Sequence, residues 1–197
     1  GELVASCNRI VHGLRALGLG KGDVVAAVLP NDAAIIELYL AVAQAGMYLV
    51  PVNWHLTAPE IAYIVQDSEA KVFVAHERFG DACKKAATEL GFAPERRFAV
   101  GQVDGFRPFA ELSAGQPDTT PSDRAAGAVM NYTSGTTGRP KGVRRPLPPI
   151  DPDIAATLGT GFFAMFGVKA EDGNVHLCGS PLYHTAVLVF SSTSLHF

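Results

Sequence analysis

The apolar positions near the start of the chain fall on one side of a helix. Leu3, Cys7, Ile10, Leu14 and Leu17 step by four, three, four and three, the spacing of an amphipathic helix that Gly18 or Gly20 can end. A coiled-coil stripe has the same spacing, but this one lasts barely two heptads, which favours a packed surface helix. Val24 to Leu29 is an unbroken apolar run of strand length, rich in β-branched residues. Ala33 to Ala45 is apolar on nearly every face and predicts a largely buried helix, capped by Asn31 or Asp32 and ended at Gly46.

The alternation continues. Tyr48 to Val52 reads as a short strand interrupted by Pro51. Thr57-Ala58-Pro59-Glu60 has the form of a capping box, so a helix opens at Ala58 or Pro59. Lys71 to Ala75 predicts a strand, Glu77 to Leu90 a helix stopped at Gly91, and Arg97 to Val100 another strand. Gly101 to Asp123 is rich in Gly, Pro, Ser and Asp and holds one short helix candidate, Phe109 to Ser113. It predicts a surface connection and a subdomain seam near residues 101–123. Ala126 to Tyr132 predicts a strand. Pro146 to Pro152 holds four prolines and cannot be helix interior. Ile154 to Phe166 predicts a helix despite Gly159 and Gly161, Asn174 to Cys178 a strand, and Thr185 onward a helix. The sum is an α/β fold of layered, parallel-rich sheets with flanking helices.

Composition narrows the setting. The chain has 197 residues, 48% hydrophobic and 18% charged, as in an ordinary globular protein of one or two domains. A net charge of −3 implies no general attraction to nucleic acid or acidic lipid. No apolar stretch has the length of a membrane span; the strongest, Ala33 to Ala45, contains Glu37 and Gln44. The start lacks a basic segment followed by an apolar core and cleavage site. Cys7, Cys83 and Cys178 are widely spaced, with no Cys-x-x-Cys pair. This argues against a disulfide framework or a zinc site and fits a reducing, cytoplasmic setting.

The strongest chemical signal is Tyr132-Thr133-Ser134-Gly135-Thr136-Thr137-Gly138-Arg139-Pro140-Lys141-Gly142-Val143. Glycines let successive backbone N–H groups point into one concavity. The hydroxyls of Thr133, Ser134, Thr136 and Thr137 add neutral donors. Lys141 brings a mobile point charge and Arg139 a second cation. Such a loop suits a polyphosphate. It is not a Walker A loop, because Lys141 is followed by Gly142 rather than Ser or Thr.

The run resembles the phosphate-loop signature of the adenylate-forming superfamily, which includes acyl-CoA synthetases, luciferases and peptide-synthetase adenylation domains. Other stretches resemble that family in order: Leu19 to Ala26 with Leu29-Pro30-Asn31, Ala45 to Asn53, Glu60 to Ile64, Asp67 to Lys71, and Pro181-Leu182-Tyr183-His184. The resemblance implies part of the large N-terminal domain, here an N-terminal fragment with the C-terminal domain absent. Both ends of the chain look cut, which fits that expectation.

The family's chemistry is ATP-dependent activation of a carboxylic acid to an acyl-adenylate, then transfer to CoA. The expected small molecules are therefore a carboxylic acid, ATP, CoA and Mg²⁺, with no dedicated carboxylate site for the metal in view. The resemblance assigns Thr133, Ser134, Gly135, Thr136, Thr137, Gly138, Arg139 and Lys141 to the nucleotide and His184 to the acyl substrate. A fatty acid is the first reading of the acid. An aryl-CoA ligase, a carrier-protein adenylation domain and a non-catalytic nucleotide-binding module are the alternatives, and the oligomeric state is open.

Three further expectations follow. The Thr133–Lys141 loop should be mobile without nucleotide. Residues 1–197 alone should lack ligase activity, because the family's later motifs lie beyond Phe197. Many relatives continue from the loop lysine to a His; here Arg144-Arg145-Pro146 stands instead, and this basic pair either contacts phosphate or is solvated.

Overall fold

The computed structural model describes residues 1–133, 139–170 and 173–196. Six strands form a parallel sheet in the order β5-β4-β3-β1-β2-β6. They are β1 (Val24–Val28), β2 (Tyr48–Pro51), β3 (Val72–His76), β4 (Arg97–Val100), β5 (Arg107–Pro108) and β6 (Ala128–Val129). Every neighbouring pair is parallel. Helices supply the crossovers that parallel neighbours require: α1 (Glu2–Ala16) precedes β1, α2 (Ala33–Gln44) joins β1 to β2, α3 (Ala58–Asp67) joins β2 to β3, and α4 (Gly80–Glu89) joins β3 to β4.

The pleat sorts the core into two layers. On β1, Val25 and Ala27 face α1 and α2, packing with Ile10, Leu14, Ile35 and Leu38. Val24, Ala26 and Val28 face the other way, onto Ile61, Ile64 and Val65 of α3 and Cys83, Ala86 and Ala87 of α4. Successive strand residues alternate faces, so a strand covered on both sides must be apolar throughout. This is why β1 reads as a continuous run and is buried at every position.

The helix ends follow their local chemistry. Gly18 and Gly46 take positive φ just beyond α1 and α2, a conformation that costs glycine little. Asp32, rather than Asn31, caps α2, accepting from the Ile35 N–H at 3.3 Å. At α3 the Glu60 carboxylate accepts from both the Thr57 N–H and the Thr57 hydroxyl, each at 2.7 Å. These bonds hold the exposed Glu60 carboxyl below its ordinary range.

The connection after β4 is strapped along α1. The Asn8 amide donates to the Asp118 carbonyl at 2.8 Å, and Arg15 pairs with Asp123 at 2.9 Å. The expected helix Phe109 to Ser113 is a 3₁₀ turn at Phe109–Leu112. The expected helix Glu77 to Leu90 is a 3₁₀ turn, Glu77–Phe79, followed by α4.

Two expectations fail. The strand drawn from Ala126 to Tyr132 is broken: β6 ends at Val129, and β7 (Asn131–Thr133) belongs to a separate antiparallel pair with β8 (Lys141–Val143). Met130, 5% exposed, turns into the core between them. Asn174 to Cys178 is not a strand, since it has no pairing partner among the described residues and Val175 and Leu177 are 93% and 90% exposed. Alternating apolar residues suggested a half-buried strand, but a strand needs a ladder to join. The last helices, α5 (Pro152–Ala164) and α6 (Thr185–Thr193), stand where the apolar pattern places them.

Candidate functional site: a phosphate-loop hairpin at the sheet edge

The β7–β8 hairpin carries the polyphosphate motif. Its register pairs Asn131 with Val143, Tyr132 with Gly142, and Thr133 with Lys141. Directly opposed residues in an antiparallel pair share a face, so the ribbon has two distinct sides. Asn131, Thr133, Lys141 and Val143 lie on one, and Tyr132 and Gly142 on the other.

The Tyr132 side rests on α3. The Tyr132 hydroxyl donates to Asp67 Oδ2 at 2.7 Å. Burial, and then the adjoining Asp67 carboxylate, push the phenol well above its ordinary range, so it remains a donor. One helical turn earlier, the Tyr63 hydroxyl donates to the Pro140 carbonyl at 3.1 Å, and the Arg139 guanidinium lies 5.4 Å from the Tyr63 ring centre. Gly142 permits this fit, because a Cβ there would stand 2.6 Å from Met130 Cε and 2.9 Å from Tyr132 Cζ.

The opposite side meets α6. The Thr185 hydroxyl bonds the Asn131 side-chain oxygen. Asn31, at the carboxyl end of β1, holds the preceding segment. Its amide donates to the Ser180 carbonyl at 2.9 Å, and its side-chain oxygen accepts from the Leu182 N–H at 2.8 Å. Trp54, after β2, packs edge-on against Tyr183 with ring centres 4.6 Å apart. His184 therefore stands at the start of α6, exposed, with its ring 4.5 Å from that of Tyr183. Ligands of open α/β sheets bind outside the carboxyl ends of the strands, and this edge gathers Asn31, Trp54, the hairpin and His184.

Of the residues expected to hold nucleotide, Thr133, Arg139 and Lys141 are described, and all three are exposed. Ser134, Gly135, Thr136, Thr137 and Gly138 lie outside the described residues, and so does the expectation of a mobile loop between Thr133 and Lys141. Arg144 is exposed, as a solvated residue would be, but its side chain is also tied down. Its guanidinium donates to the Gly22 carbonyl at 2.6 Å, lies 4.9 Å from the Tyr48 ring centre and pairs with Glu69 at 3.5 Å. The Tyr48 hydroxyl in turn donates to the Arg145 carbonyl at 2.5 Å. Arg144 thus ties the strand leaving the loop back to the sheet. Among the described residues, no cluster of three or more His, Cys, Asp or Glu is placed to hold a metal. No helix among them is long and apolar enough to cross a membrane.

The model of the AMP-binding enzyme family matches residues 1–196. The chain belongs to that family. It is 38% identical over 208 aligned positions to the fatty acid–[acyl-carrier-protein] ligase ScoC of Streptomyces coeruleorubidus, a match covering 99% of this chain and 36% of the relative. It is 37% identical over 145 positions to a feruloyl-CoA synthase of an Amycolatopsis species, covering 72% of this chain and 26% of the relative. Among solved structures it resembles ATP-bound MatB from Rhodopseudomonas palustris, with a TM-score of 0.70 and 29% identity over 97% of this chain and 36% of that one. The chain thus spans about a quarter to a third of the length of these proteins, and its parallel sheet with flanking helices is an architecture it shares with MatB.

Sequence reasoning missed Asn31 as a clamp and missed Trp54, Tyr63, Asp67 and Asn131. Asn31 carried a signal, since it follows the first strand directly, where α/β sheets build sites. Tyr63 and Asp67 lie in stretches that resemble the family, but nothing local pointed to their contacts with the hairpin, because the partners lie 77 and 65 residues away.

Proposed function

We propose that the full-length protein activates a carboxylic acid with ATP and passes the acyl group to a thiol. In the first step a carboxylate oxygen attacks the α-phosphorus. The bond from that phosphorus to the bridging oxygen breaks, giving acyl-adenylate and pyrophosphate. In the second step the thiol sulfur attacks the acyl carbon, the thiol proton is lost and AMP departs. Negative charge gathers on the pyrophosphate as it leaves, and fixed donors aimed there lower the barrier.

The observation that carries this reading is the hairpin register, which sets the Thr133 hydroxyl and the Lys141 ammonium on one face at the base of the loop. Residues 134–138 would supply the remaining N–H and O–H donors. Arg139, cradled by Tyr63, would lend a second cation at the rim. His184 would line the acyl pocket, giving shape and polarity rather than proton transfer. Mg²⁺, when bound, would neutralise phosphate charge.

The acid is a fatty acid in this reading, with CoA as the acceptor and the cytoplasm as the setting. A carrier-protein thiol is the second reading, favoured by the 38% identity to ScoC across 99% of this chain. Residues 1–197 alone would form no thioester. Pyrophosphate exchange by the full-length protein, with a panel of fatty, aromatic and amino acids, tests the first step. Trapping the product with CoA or with an acyl carrier protein separates the acceptors. Absence of acid-dependent exchange across the panel would end the proposal.

A further inference from the structure

We infer that Asp67 and Tyr132 form a positioning pair that mounts the phosphate-loop hairpin on α3 and fixes where Thr133 and Lys141 point; the inference rests on the adenylation reading above. Neither residue is placed to touch nucleotide. Tyr132 lies on the opposite side of the ribbon from Thr133 and Lys141, so it acts only through them.

Three observations converge. The Tyr132 hydroxyl reaches Asp67 at 2.7 Å across 65 residues of sequence. Tyr63, one turn before Asp67 on the same face of α3, bonds the Pro140 carbonyl at 3.1 Å. Both arms of the hairpin are thus tied to one helix, and that helix is buried along Ile61, Ala62, Ile64 and Val65. The absent side chain at Gly142 completes the fit, since any Cβ there would push the Tyr132 ring away. A two-stranded ribbon alone in water is marginally stable. Its rigidity must come from what it rests on, and preorganised donors work only where they are held fixed.

Asp67 is exposed and Tyr132 partly so, so loss of their bond leaves groups that water can solvate, and the core stays intact. The test uses the full-length protein with Tyr132→Phe, Asp67→Ala and Asp67→Asn, the last of which keeps an acceptor for the phenol. Hydrogen exchange at residues 131–133 and 141–143 should quicken about five- to ten-fold in Tyr132→Phe and Asp67→Ala and stay near wild type in Asp67→Asn. The rate of pyrophosphate exchange should fall by a similar factor in the first two variants. Thioester formation from presynthesised acyl-adenylate should not change. Tyr132→Phe combined with Asp67→Ala should be no worse than either alone.

Unchanged hydrogen exchange in the hairpin would overturn the inference, as would an equal loss in both half-reactions. Wild-type protein without acid-dependent exchange would sink the proposed function and, with it, the catalytic consequence. The hydrogen-exchange result would still decide whether the pair mounts the hairpin.

Discussion

Thr133 and Lys141 are cross-strand partners at the loop end of the β7–β8 ribbon. The two residues are eight apart in sequence and share one face. That face therefore carries a hydroxyl-bearing residue opposite a lysine. The opposite face, Tyr132 and Gly142, is spent on packing against α3 and Met130.

Gly142→Ala should disturb the site from behind. Its Cβ would stand 2.6 Å from Met130 Cε and 3.0 Å from Tyr132 Oη. The methionine end can yield, but the ring cannot move without straining its bond to Asp67. Overpacking of this kind costs about 1–3 kcal/mol. The variant should melt lower than wild type and lose pyrophosphate exchange more than thioester transfer. A variant with wild-type stability and exchange would show that the fit behind the ribbon is not tight.

Asn31→Ala should act on the acid rather than on ATP. It removes both hydrogen bonds that hold the Ser180–Leu182 segment beside β1, each worth about 0.5–1.5 kcal/mol net. That segment carries Tyr183 and His184. Steady-state kinetics should show a raised KM for the acid of about ten-fold, at 1.4 kcal/mol per factor of ten, with KM for ATP near wild type. The reverse pattern would remove His184 from the acyl pocket.

Two buried thiols set a pH dependence. Burial pushes Cys7 up to about 12, with Glu37 adding to the effect, and burial alone pushes Cys83 up to about 12. In the unfolded chain a thiol titrates at about 8.5. Between those values the unfolded chain loses protons that the folded one keeps, so stability falls as pH rises. Below the unfolded value this source contributes no slope. Urea unfolding of the full-length protein should show a loss of stability from pH 8 to pH 10.5 that shrinks in Cys7→Ala with Cys83→Ala. An identical loss in the double variant would refute the assignment. Native protein should also resist alkylation at both cysteines at pH 8.

The central strand was legible in the sequence because burial on two faces leaves a plain mark, as in Val24 to Leu29; α2 was legible from its apolar run, although only Ile35, Leu38, Ala41 and Val42 of it are buried. The motif was legible because donors, glycines and cations crowd into one short run. What was hidden depends on partners far along the chain. Tyr132 and Asp67 are 65 residues apart, and Arg144 and Gly22 are 122 apart. No local pattern announces either contact. For Arg144 the sequence offered only phosphate or water as partners, because neither Gly22 nor Tyr48 is near it along the chain. The end of β6 was misread for a related reason, since an apolar residue such as Met130 looks alike whether it continues a strand or turns into the core.

In the proposed function this hairpin serves the pyrophosphate portion of ATP. Lys141→Ala in the full-length protein tests it most directly, with the two half-reactions measured separately. Hydrogen bonds to charged groups are worth about 1.5–3 kcal/mol, so acyl-adenylate formation should slow roughly ten- to a hundred-fold. Lys141 is exposed, so the fold should survive. Thioester formation from presynthesised acyl-adenylate involves no β- or γ-phosphate and should proceed at nearly the wild-type rate. Equal loss in both half-reactions from a folded Lys141→Ala protein would mean that the hairpin does not serve the pyrophosphate.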